Sequence, residues 1–142
     1  MTAASSNRQQ ARPVRLSPMW LLYGCDAGLL IASGLIHLHL WDIAYRHVKT
    51  LDVLFLAQVV LTLLAALILL VTRHLLVIAG AAALMAGTIT GFVLARAVGI
   101  FGFRLTFIST EAYAVLVVEA VAIVMLGITA RFQLRRRAGG GA

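Results

Sequence analysis

The sequence predicts an all-α fold: an integral membrane four-helix bundle with both termini cytoplasmic. Three observations carry this. The chain of 142 residues is 62% apolar and only 12% charged, against about 45–50% and about 25% in soluble domains, and its apolar residues gather into four runs of about 20, the length that crosses hydrocarbon. The cations collect at the ends and connections of these runs rather than within them. Aromatic residues, which favour the headgroup zone, mark the run ends: Trp20, Tyr23 and Phe132 at one side, and Trp41, Tyr45, Phe101, Phe103, Phe107 and Tyr113 at the other.

Residues 1–17 are polar, lack an apolar period and read as a disordered cytoplasmic tail. Helix 1 is expected over 18–41, opened by Pro18 with Ser17 as its cap. Cys25, the single cysteine, lies inside it and reads as a small packed residue. The preceding Leu22-Tyr23-Gly24 is a poor lipidation box, with too few apolar residues before it for a signal core. Helix 2 is expected over 51–71, helix 3 over 75–99 and helix 4 over 111–130, which makes 18–130 the four-span bundle and 131–142 a basic flexible cytoplasmic tail. The outer loop 100–110 contains Gly102 between phenylalanines and reads as an interfacial plug lying along the membrane surface, with a lid as the alternative.

The net charge of +7 would suit nucleic acid if it formed one patch. It does not. Arg8, Arg12 and Arg15, then Arg73, then Arg131, Arg135, Arg136 and Arg137 lie on the side shared by the termini and the helix 2–3 connection, a positive-inside signal that also suits anionic headgroups. The implied partners are membrane lipids, other membrane subunits or a second copy of the chain; nucleic acid is excluded.

Helix 3 carries Ala79, Ala83, Gly87, Gly91, Ala95 and Gly99 at a spacing of four. A ridge of small residues permits close helix approach, which drives association where no hydrophobic effect operates. It is expected to pack against helix 1 or helix 2, the alternative being an oligomer or partner contact. Helix 1 offers Gly24, Gly28 and Gly34 in return.

Polar residues inside spans cost roughly 2.5–3.5 kcal/mol each on insertion scales, so each needs a partner or a purpose. Five stand out: Asp26, His37, Gln58, Arg96 and Glu119. At about 100° per residue, Asp26, Ser33 and His37 share one face of helix 1, and His39 points nearly opposite. At 1.5 Å per residue, His37, Gln58, Arg96 and Glu119 lie roughly 6, 10, 4 and 12 Å from the outer boundary. They are expected to form an outer-leaflet polar cluster, Glu119 pairing with Arg96 or His37 and Gln58 bridging. Asp26 lies near the other side, in reach of Arg15, Arg73 or His74. The cluster is either a network fixing helix register or a site for a small molecule, quinone or lipid headgroup, or proton transfer.

Other chemistries find less support. His37, His39 and His47 are the candidate metal ligands, but their spacing matches no zinc pattern, and haem would need histidines at one depth on separate helices. Asp26, Ser33 and His37 climb a single helix over about 16 Å and cannot converge as a triad. No cofactor motif is present.

The stretch Gly34-Leu35-Ile36-His37-Leu38-His39-Leu40-Trp41, with Tyr45-Arg46-His47, Leu54-Phe55-Leu56-Ala57-Gln58, the helix 3 glycines, Gly99-Ile100-Phe101-Gly102-Phe103 and Glu119, resembles small four-helix membrane proteins of high-GC actinobacteria. The resemblance covers about residues 20–130. It implies a bacterial plasma-membrane setting and no assigned activity. The sequence by itself favours a non-catalytic accessory component of a membrane complex, ahead of ligand binding or proton-linked transport in the outer-leaflet cluster, and ahead of a metal or redox subunit.

Overall fold

A computed structural model describes residues 18–102, 104–106 and 109–139. The N-terminal tail with Arg15 and Ser17, and Phe103 and Phe107 of the outer loop, lie outside the described residues. The described chain forms four helices, α1 (Pro18–Leu40), α2 (Leu51–Thr72), α3 (Leu75–Ala97) and α4 (Thr110–Gly139). All four are long and apolar enough to cross a membrane. Helices suit that setting because every backbone bond is satisfied within the segment.

Three boundaries differ from expectation. Helix 1 does not stop at Trp41 but continues as a π-helical turn, Trp41–Tyr45, closed by Arg46 N–H donating to the Trp41 carbonyl at 2.9 Å. The Asp42–Arg46 pair one turn apart, at 3.1 Å, braces it. α3 ends at Ala97, two residues early, because Gly99 adopts a φ of 84°, where glycine pays no Cβ penalty. α4 runs on to Gly139, nine residues past the expected end at Ala130. The expected boundary marks where the apolar span ends; residues 131–139 contain no proline or internal glycine to stop the helix.

The buried residues of α1 and α4 follow heptad spacing. On α1 the steps from Met19 through Tyr23, Asp26, Leu30, Ser33, His37 and Leu40 alternate four and three. On α4 the same alternation links Ala112, Val115, Glu119, Ala122, Leu126, Thr129 and Gln133. A 3.5-residue repeat produces left-handed, knobs-into-holes seams. α1 packs against α2 and α4, and α3 packs chiefly against α4, with Ile78, Ala81 and Met85 meeting Ala122 and Leu126 in the core. Gly34 sets the α1–α2 approach: a Cβ there would lie 2.7 Å from Thr62 Oγ1.

α2 and α3 touch little although only Arg73 and His74 join them. Arg73 takes a left-handed φ of 50°, and His74 caps α3 by accepting from Leu76 N–H at 3.3 Å. Two helices tied at one end and barely in contact diverge toward the other, and that divergence positions the site.

Candidate functional site

Between the diverging halves of α2 and α3 lies a cavity of about 570 Å³. Leu54, Phe55 and Gln58 line it from α2, Ala83, Gly87, Gly91 and Ala95 from α3, and His37 and Glu119 from α1 and α4. Ile100, Phe101 and Leu105 of the outer loop cover its end, with Leu105 N–H donating to the Ala95 carbonyl at 3.0 Å. The π-helical turn brings Tyr45 into stacking contact with Phe55, ring centroids 4.4 Å apart, and Phe55 in turn lies 5.4 Å from the His37 ring.

The small-residue ridge therefore does not pack against helix 1 or helix 2 as expected. Ala79, Ala83 and Gly87 are exposed, the last two at the cavity, Gly99 is off the helix, and a Cβ added at Gly87 or Gly91 would meet nothing within 4 Å. The buried residues of α3 are Ile78, Ala81 and Met85, with Ala95 the one ridge member among them, and Ile78 and Met85 supply larger side chains for dispersion contact. The ridge serves as the smooth wall of the cavity.

Three of the four expected cluster residues come together at this cavity. Glu119 is fully buried; its Oε1 accepts from Ser33 Oγ at 3.3 Å and lies 3.8 Å from His37 Nε2. His37 Nδ1 lies 2.9 Å from the Ser33 carbonyl, which can only accept, so the ring donates from Nδ1. That leaves Nε2 facing Glu119. Gln58 also lines the cavity, but it does not bridge: its Nε2 and Glu119 Oε2 are buried without a hydrogen-bond partner.

Arg96 does not join. It is exposed and lines neither cavity described here. It lies about 100° around the helix from the buried Ala95, and its flexible stem carries the cation outward. Asp26 is also paired otherwise than expected: Thr129 Oγ1 of α4 donates to Asp26 Oδ2 at 2.6 Å, while Arg73 lies over the Trp20 ring at 3.7 Å and His74 caps α3. Ser33 and Thr129 are the polar partners that sequence reasoning missed as such. Both fall on the heptad seams, the signal that would have found them.

The three histidine candidates for a metal do not converge. His37 is buried on the α1–α4 seam, His39 is exposed on the opposite face as expected, and His47 accepts from Arg46 Nε at 3.1 Å. Among the described residues no group of three metal-ligating side chains comes together.

No protein-family model, curated protein or solved structure matches this chain.

Proposed function

We propose that the chain is a bacterial plasma-membrane protein with both termini cytoplasmic, and that it binds a small, largely apolar molecule with a hydrogen-bonding head, of the quinone or lipid class, between α2 and α3. The observation that carries the reading is the cavity itself. Its volume of about 570 Å³ falls within the range of about 300–1,000 Å³ typical of small-molecule sites, which combine apolar walls with a few convergent polar groups. Here the walls are leucine, phenylalanine and the small ridge of α3, and the polar groups are His37, Gln58 and Glu119.

The unpartnered atoms specify the head. Gln58 Nε2 is a donor and requires an acceptor such as a carbonyl oxygen. Glu119 Oε2 requires a hydrogen-bonding group on the ligand, since a buried polar atom without a partner costs about 1–3 kcal/mol. The divergence of α2 and α3 gives an apolar molecule a lateral route from lipid, past the exposed Leu54 and Leu94. A ridge that lines a cavity no longer argues for close approach of a partner helix, so ligand binding supersedes the accessory role.

Purification of the native protein in mild detergent, followed by mass spectrometry of extracted small molecules, tests the proposal. An amphipathic molecule retained at about one per chain is expected. A protein that carries none, or that emerges only in a stable complex with other subunits, would return the assignment to an accessory component.

A further inference from the structure

A second cavity, of about 240 Å³, lies at the end of the bundle where α1 begins and α4 ends, lined by Met19, Trp20, Tyr23, Arg73, Gln133 and Arg136. It exists because α4 continues beyond its apolar stretch, so Gln133 and Arg136, three residues apart and on one face, reach the α2–α3 connection.

Arg73 is held in two ways. Its carbonyl accepts from Gln133 Nε2 at 2.8 Å, and its guanidinium carbon lies 3.7 Å from the centroid of the Trp20 ring. A guanidinium fixed over an aromatic face is pre-organised for an anion. Arg136 lines the same space from α4. Among the described residues neither arginine has an acidic partner: the ion pairs present are His37–Glu119 and Arg46–Asp42. Both arginines are exposed, and an anion placed between them would meet two cations at once. Gln133 is more than nine-tenths buried, and with its nitrogen committed to Arg73 its Oε1 is left without a partner and calls for a donor.

We propose that this cavity binds a phosphate ester whose head carries a hydroxyl: the phosphate oxygens on Arg73 and Arg136, the hydroxyl donating to Gln133 Oε1. Guanidinium matches phosphate by paired N–H donors, and such charge-assisted bonds are roughly twice as strong as neutral ones. The glycerol phosphodiester of an anionic phospholipid has this chemistry, as does free glycerol phosphate. The half-exposed Trp20, at 45%, stands where headgroups lie.

The test uses the full chain exchanged into detergent with either phosphatidylglycerol or phosphatidylcholine, with retained lipid counted by native mass spectrometry. One phosphatidylglycerol per chain is expected, with phosphatidylcholine lost. Arg73→Gln and Arg136→Gln should each weaken retention about tenfold or more, the loss of one hydrogen-bonded charge. Arg135→Gln, which removes an equal charge one residue from Arg136 but outside the cavity, should leave it unchanged. Displacement of the lipid by soluble glycerol phosphate would assign the site to the free ester, and resistance to it would assign the lipid. Equal loss in the Arg135 and Arg136 variants, or equal retention of both lipids, would overturn the site.

Discussion

Asp26 and Glu119 are both fully buried carboxyls on the same α1–α4 seam, yet their surroundings differ in kind. Asp26 accepts from Thr129 through Oδ2, and although its Oδ1, like Glu119 Oε2, is buried without a partner, it lines neither cavity. Glu119 meets Ser33 and His37 on one side and a cavity of about 570 Å³ on the other. Leu30, Leu69 and Leu126, all inaccessible, belong to the same hydrophobic core cluster. The cavity at Glu119 is lined from α3 by Ala83, Gly87, Gly91 and Ala95 among larger neighbours such as Leu84 and Phe92, and a Cβ added at either glycine would meet nothing within 4 Å. On the proposed reading, what separates the two carboxyls is the space beside them, not their own chemistry.

Substitutions can break that contrast, and the largest effect should fall on the ligand. Glu119→Leu should lower the amount of co-purifying small molecule about tenfold or more, through loss of a hydrogen bond to a charged or strongly polar group. Asp26→Ala should leave that amount unchanged and cost about 1–2 kcal/mol of stability, as it removes an interhelical bond and opens a gap in closed packing. Thermal unfolding followed by circular dichroism would show it. If the two variants exchanged phenotypes, the contrast would be wrong. Gly34→Ala should cost about 1 kcal/mol by overpacking against Thr62, read from the same melts. Gly91→Ala, which places a methyl into open space, should stay within about 0.5 kcal/mol of the parent; a large loss would mean that a helix contact occupies the ridge.

The fold was legible in the sequence because lipid imposes a simple rule. Apolar runs of spanning length are helices, and breaks in composition mark their ends, so Leu51 and Leu75 begin α2 and α3 as expected. The faces of α1 were legible too: Asp26, Ser33 and His37 are buried and His39 is exposed. What could not be read is which helices are neighbours. A spacing of four on α3 says that something can approach closely, not that anything does, and here α4 takes the adjacent heptad stripe instead. Depth placed Arg96 in the same outer half of the membrane as Glu119, but depth does not fix direction, and a long cationic stem follows the lower-cost path outward. The end of α4 was missed because an apolar span and a helix are different things. Arginines end the first without ending the second.

Comparison of the parent chain with Gly87→Leu, purified identically, tests the cavity assignment most directly. Leucine at this position would project into the space between α2 and α3, where an added Cβ meets nothing within 4 Å. Mass spectrometry should find an amphipathic small molecule at about one per chain in the parent and at most about a tenth of that in the variant, whose helical content and melting temperature stay equal or rise. Equal small-molecule content in the two proteins, or none in either, would contradict a ligand site between α2 and α3.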